Sequence, residues 1–145
     1  MRLVIQRVKQ ASVCVNDKVH SSIGKGLLCL VGFSHIDEEN DYQWAINKIL
    51  NLKLFRKNKS VEDVNGEILI VSQFTLFASI KKGTKPSWSK AAKSAHAKNM
   101  YVNFMSLIKK KTHLNIQSGV FGEDMDIKLI NSGPLTIIVD TEVRE

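Results

Sequence analysis

Ser72, Gln73 and Thr75 place two hydroxyls and an amide inside the run VSQFTLFA, whose bulky apolar positions are Val71, Phe74, Leu76 and Phe77. A hydroxyl attacks a carbonyl carbon only with a base in hydrogen-bond reach and donors to hold the oxyanion. The chain has no GxSxG elbow and no evident Ser/His/Asp set. From spacing alone, then, Ser72 and Thr75 read first as ordinary polar strand residues. Gln73 is less ordinary. A primary amide in an apolar strand either faces solvent or meets a specific buried partner.

The chain then turns basic. Lys81, Lys82, Lys85, Lys90, Lys93 and Lys98 lie in one eighteen-residue window without an acidic residue. Such a window attracts phosphates, and each phosphate neutralised releases counterions. A plain solvated face is the competing reading. Gly83 and Pro86 give the loop a fixed shape rather than that of a floppy tail. A third stretch, Asn131-Ser132-Gly133-Pro134-Leu135-Thr136, has Gly-Pro between apolar runs, a common turn signal. X-Pro bonds alone have an appreciable cis population, although trans is the usual state.

Metal and thiol chemistry find no support. Cys14 and Cys29 sit in apolar runs without a CxxC partner, and read as reduced, buried thiols. His20, His35, His96 and His113 are scattered without HxH or HxxxH spacing. No metal and no cofactor are expected.

Elements must hold these residues in place. RLVIQRV and ASVCV read as strands, followed by an Asn16-Asp17 turn, KVHSSI, a Gly24-Lys25-Gly26 turn and the buried strand LLCLVGF. The period then changes. Asp37 is a fitting N-cap, Glu38, Glu39 and Asp41 suit a helix N-terminus, and Tyr42, Ala45, Ile46 and Ile49 share one helical face. This predicts a helix over 37–51. RKNKSVEDVNG is a loop, EILIVSQFTLFA a strand and KKGTKP a loop. Ser87 or Ser89 would cap a second helix reaching about Lys111, with Tyr101, Phe104, Met105 and Ile108 as its stripe. HLNIQSGVF, DIKLIN and PLTIIVDT are three closing strands, the last with a run that suggests burial.

The expected fold class is α+β, a single compact domain over residues 1–145 with a mixed or antiparallel sheet and two main helices. Its length suffices for one real core, and 43% hydrophobic with 24% charged residues argues against disorder. The net charge of +7 suits a polyanionic partner. No apolar run reaches the ~18–20 residues of a membrane span. MRLVIQRVKQ lacks a signal-peptide layout, so a cytoplasmic location and no membrane partner are expected.

Together, VSQFTLFA, KKGTKPSW, GVFGEDM and NSGPLT, in this order and spacing, closely resemble the D-aminoacyl-tRNA deacylases. MRLVIQRVKQASVCV and KILNLKLF also look like that family, and the resemblance runs from Met1 to about Asp140. The paired SQFTL and NxGPxT motifs are specific to it. Two departures stand out: Leu135 replaces the usual valine, and Glu123 stands where a small residue is typical.

The resemblance implies a homodimer that hydrolyses the ester of D-aminoacyl-tRNA, and of glycine mischarged on alanine tRNA, with its sites at the dimer interface. It implies a catalytic strand of Ser72, Gln73, Phe74 and Thr75, with backbone N–H groups near Phe74 and Thr75 for the oxyanion. Thr75 is ranked as a pocket residue above a covalent nucleophile, the ribose 2′-hydroxyl taking part instead. It implies a cis Gly133-Pro134 that crosses to the partner's pocket as a chirality filter, accepting the substrate ammonium and excluding an L side chain. Arg7, Phe121, Gly122, Met125 and Asn131 would belong to the pocket, and Lys81, Lys82 and Lys85 would meet acceptor-end phosphates. The alternative is a non-catalytic nucleic-acid-binding module of the same fold.

Overall fold

The computed structural model describes residues 1–144. Six strands and two helices follow in the order β1 (Arg2–Val15), β2 (Lys18–Ile23), β3 (Gly26–Gly32), α1 (Glu39–Asn51), β4 (Glu67–Ser72), α2 (Ser94–Lys111), β5 (Ile116–Ser118) and β6 (Asp126–Asp140). A short 3₁₀ turn, Phe74–Phe77, follows β4. The sheet runs β2-β1-β3-β4-β5, with β6 along the other edge of β1. Pairing is antiparallel around β1 and parallel for β3–β4 and β4–β5, so the sheet is mixed. The Ser21 hydroxyl donates to the Ser118 carbonyl at 2.8 Å and draws β2 toward β5, nearly closing a barrel. The expected α+β single domain is what forms.

β1 is one fourteen-residue strand rather than two short ones. It serves β3 with its first half, β2 with its second, and β6 along nearly all its length. The Asn16-Asp17 turn follows, both residues at positive φ (50° and 61°), as a two-residue hairpin requires. β3 and the Ile68–Val71 stretch of β4 are apolar throughout because both faces are covered. Leu27, Cys29, Val31, Ile68 and Ile70 join the cluster that contains the buried residues of α1 and α2. Their alternating neighbours Leu28, Leu69 and Val71 pack with Val8, Val13 and Ile23 inside the near-barrel. Phe33, Tyr42 and Phe104 meet edge-to-face at 6.0–6.2 Å over the first cluster.

Four further expectations are corrected. Helix α1 begins at Glu39, and Asp37 does not cap it. The Glu38 N–H donates to the Asp41 carboxylate at 3.0 Å, while Asp37 accepts the Ser34 N–H at 2.7 Å and pairs with the Met1 ammonium. Helix α2 begins at Ser94, not at Ser87 or Ser89, because the intervening residues form an irregular lip. HLNIQSGVF yields only Ile116–Ser118 as strand, since Gly119 turns the chain away and Gly122 takes φ 85°. DIKLIN and PLTIIVDT are one strand, β6, and its apolar run is mostly uncovered. Ile138 is 78% exposed and Ile130 47%.

Candidate active-site cleft

β4 ends at Ser72, and the chain does not continue as the expected SQFTL strand. The Gln73 N–H makes a last bond to the Val31 carbonyl at 2.7 Å, and the next four residues curl into the 3₁₀ turn. Polar side chains that bond locally compete with a strand ladder. Here the Gln73 amide donates to the Thr75 hydroxyl. Gln73 thus meets neither of its two expected fates cleanly; its partner is the neighbouring hydroxyl.

The turn is seated on Gly32. A Cβ there would lie 2.8 Å from the Gln73 carbonyl and 3.2 Å from Leu76 Cβ, so only glycine admits the turn so close. Phe77 is buried beneath it. Arg2 locks the far side, donating from Nη1 to the Leu76 carbonyl at 3.1 Å and from Nε to Asp140 at 2.8 Å, its guanidinium 4.8 Å from the centre of the Phe77 ring. Burial raises the Asp140 carboxyl, but the hydrogen bonds from Arg2 and the Glu142 N–H outweigh it and leave its pKa lowered.

Beside the turn opens a cleft of about 780 Å³. Ser72, Gln73 and Phe74 form one wall, and Phe121, Gly122 and Met125 another. Phe74 stands 54% exposed, edge-to-face with Trp88 at 5.4 Å. Phe121 leans on Tyr101 at 5.8 Å, and the Tyr101 hydroxyl donates to the Ile70 carbonyl at 2.9 Å. Burial pushes that phenol up to about 12. Met125 is held by the Val120 N–H, which donates to its Sδ at 3.3 Å. A Cβ on Gly119 would lie 2.7 Å from the same sulfur. The cleft's size suits a nucleoside and a small acyl group.

Six expected site residues therefore share one cleft. Thr75 does not line it, nor do Arg7, Asn131, Gly133 and Pro134 of the same chain. These last four form a separate assembly on the β1–β6 edge. The register jumps from Gln6 opposite Thr136 to Val8 opposite Asn131, so Arg7 faces residues 132–135, a bulge. Arg7 donates to three carbonyls, those of Leu54 (2.6 Å), Ser132 (3.1 Å) and Gly133 (3.2 Å). Asn131 spans the bulge by donating to the Arg7 and Leu135 carbonyls, each at 3.0 Å. The Gly133–Pro134 peptide is cis, and both residues are exposed.

Lys81, Lys82 and Lys85 also stand outside the cleft, exposed on a loop closed by paired backbone bonds between Ser79 and Ser87 (2.8 and 3.0 Å). That loop leads directly into Trp88 and Ser89 on the cleft wall. Sequence reasoning missed Trp88 and Lys93 as cleft residues. The available signal was a lone aromatic in an otherwise polar, basic segment. Glu123 lines the cleft with Asp124, so the departure from a small residue falls on the rim itself. Among the described residues, no three of His, Cys, Asp and Glu gather where a metal ion would be held.

Comparison with known proteins shows the family. The chain is 45% identical to the D-aminoacyl-tRNA deacylase of Cytophaga hutchinsonii and 47% identical to that of Flavobacterium psychrophilum, in each case over all of both chains. Among solved structures it matches one named as the c-Myc DNA Unwinding Element Binding Protein, with TM-score 0.91 and 37% identity over 97% of this chain and 98% of that one. A structure described as a probable eukaryotic D-amino acid tRNA deacylase shares the fold, with TM-score 0.76 and 20% identity over 95% of this chain and 97% of that one. The family model described as D-Tyr-tRNA(Tyr) deacylase matches residues 4–140, and the chain belongs to that family.

Proposed function

We propose that this chain hydrolyses the ester linking a D-amino acid to the 3′ end of tRNA, acting as a homodimer in the cytoplasm. The observation that carries the reading is the split between two assemblies. The Ser72–Phe74 cleft and the Arg7-clamped Gly133–Pro134 bulge lie apart in one chain, and both are exposed. A second copy brings a bulge to each cleft. The exposed Ile138 and Ile130 on the unpaired edge of β6 supply an apolar surface for that contact.

The chemistry follows from what lines the cleft. The terminal adenine enters against the Phe74–Trp88 pair. Water attacks the ester carbonyl carbon, and the bond to the ribose oxygen breaks. That oxygen leaves with a proton, releasing the free amino acid and tRNA. The Phe74 N–H, at the start of the turn and on the cleft wall, meets the oxyanion. The neighbouring 2′-hydroxyl of the RNA assists the proton movement. Thr75 is no nucleophile in this scheme. Its hydroxyl accepts the Gln73 amide proton, and it stands outside the cleft lining.

The partner's bulge supplies stereochemical selection. The backbone carbonyls of the cis Gly133–Pro134 pair accept the substrate ammonium. A D side chain then points outward, whereas an L side chain meets the bulge. Exclusion of this kind admits many D-amino acids and admits glycine, so glycine mischarged on alanine tRNA is also a substrate. Lys81, Lys82 and Lys85 position acceptor-end phosphates without reading sequence. One relative's name as a DNA-element binding protein favours a second reading, a nucleic-acid-binding module without catalysis.

Mixed dimers test the shared site. One inactive variant carries Gln73→Ala with Phe74→Ala, and the other carries Gly133→Val. Co-assembled at random, they recover about a quarter of wild-type D-tyrosyl-tRNA hydrolysis, because half the dimers hold one intact site. No recovery from folded, dimeric mixtures contradicts the arrangement.

A further inference from the structure

A second concavity, of about 490 Å³, lies beside the bulge, away from the first cleft. Six cationic residues line it: Arg7, Lys9, Lys25, Arg56, Lys57 and Lys59. No carboxylate does. The Arg7 guanidinium binds only backbone carbonyls, so its charge stays unneutralised. The other five side chains are exposed, and none of them forms an ion pair among the described residues. Glu67, next to the Gly24 turn, instead accepts the Gly24 N–H and the Asn115 amide, each at 3.2 Å.

A solvated basic face is usually convex and loosely held. This one is concave and its backbone is fixed. Phe55 and Lys59 bond each other through backbone bonds of 2.8 and 3.3 Å, which holds Arg56, Lys57 and Asn58 at a hairpin tip. Phe55 is buried, and Lys25 Nζ lies 5.9 Å from the centre of its ring. Behind the hairpin, Ser60 and Asp63 bond reciprocally (2.7 and 3.1 Å), and Lys53 pairs with Asp63 at 2.7 Å. Lys57 takes φ 60°, a left-handed conformation that a β-carbon disfavours and that glycine would adopt freely. Gathering like charges on a fixed, partly strained turn costs free energy, and a bound polyanion relieves it.

Its place in the fold says which polyanion. Arg7 lines this groove and also holds the Gly133 carbonyl, so one side chain joins groove and bulge. On the proposed deacylase reading, the bulge enters the partner's cleft, and this inference rests on that reading. The groove then flanks the mouth of the partner's cleft, where the nucleic acid continues from the bound 3′ end. We infer that Lys9, Lys25, Arg56, Lys57 and Lys59 bind the sugar–phosphate backbone of the tRNA whose ester sits in the partner's cleft. Each cleft is thus served by two basic surfaces. Lys81, Lys82 and Lys85 come from its own chain, and the groove comes from the other.

The test is the variant Arg56→Gln with Lys57→Asn and Lys59→Gln, asparagine being chosen because it tolerates the left-handed turn. Binding of uncharged tRNA is measured across salt concentrations, and hydrolysis is followed on D-tyrosyl-tRNA and on the D-tyrosyl ester of adenosine. The expected result is a tenfold or greater loss of tRNA affinity near 0.1 M salt. The slope of log K against log salt should fall by about 0.9 for each phosphate no longer neutralised, and KM should rise on tRNA. Turnover of the adenosine ester, which has no phosphates, stays at the wild-type level. Unchanged tRNA affinity and slope overturn the inference, including when duplex DNA binding alone declines. An equal fall on the adenosine ester also overturns it, by showing damage to the site rather than weakened phosphate binding. Lys9→Gln, on β1 and outside the hairpin, repeats the test, with an expected fall in slope of about 0.9. If wild-type protein hydrolyses neither ester while the affinity and slope effects appear, the groove stands and the deacylase reading falls.

Discussion

Gln73 and Thr75 are the residues where chemistry and architecture are easiest to confuse. Their side chains bond each other at the start of the 3₁₀ turn, so the hydroxyl shapes the turn rather than aiming at substrate. Thr75→Ala is therefore expected to keep activity within about fivefold, since losing one neutral hydrogen bond costs ~1 kcal/mol or less here. A covalent acyl-enzyme trapped on Thr75 would contradict this. Cys29 gives a second residue-scale prediction. Full burial raises its thiol to about 12, so it should not react with a thiol reagent at pH 8 until the protein unfolds. Labelling of native protein at Cys29, located by mass spectrometry, would count against the packing described. The residues legible in advance were those carried by motifs: Ser72, Gln73, Phe74, Phe121, Gly122 and Met125 do line one cleft. Trp88 and Lys93 were not, because their role depends on how the 78–93 segment folds back over Phe33, where the Ala92 N–H reaches the Phe33 carbonyl at 2.9 Å.

Elements that follow hydrophobic period were legible: α1 buries Tyr42, Ala45, Ile46 and Ile49, as their spacing requires, together with Leu50. What the period could not reveal is where a strand stops. VSQFTLFA has the apolar content of a strand, yet it leaves the sheet after Ser72 because Gln73 and Thr75 satisfy each other locally and Gly32 leaves room beneath them. Gly32→Ala should push the turn outward and cut activity at least tenfold, with a stability loss of about 1–3 kcal/mol from overpacking. Activity and the urea midpoint, measured together, check this. Full activity would mean the turn does not position the site. The Arg2–Asp140 pair makes a pH prediction at this scale. Asp140 has a lowered folded pKa, so its contribution is present above the unfolded value near 3.9 and fades as pH falls through the folded value. The stability gap between wild type and Asp140→Asn should accordingly be open at pH 6 and close at strongly acid pH. A gap independent of pH would contradict the charge-assisted pairing.

At the scale of the molecule, β6 carries the argument. Its apolar run reads as buried, and in one chain it is not: Ile138, Ile130 and Leu129 face outward along an unpaired edge. The proposed dimer would account for that pattern, because a second copy could cover the run that one chain leaves exposed. If, as proposed, each cleft needs the other chain's bulge, Ile138→Asp is expected to convert dimer to monomer in sedimentation and to abolish deacylation with it. A monomer that retains activity would remove the cross-subunit site. The most direct test of the whole account is to charge one tRNA separately with D-tyrosine and L-tyrosine, add the protein, and follow loss of each ester. Rapid loss of the D-ester with the L-ester untouched is expected. Loss of both would sink the Gly133–Pro134 filter, and loss of neither would leave a nucleic-acid-binding protein without this catalysis.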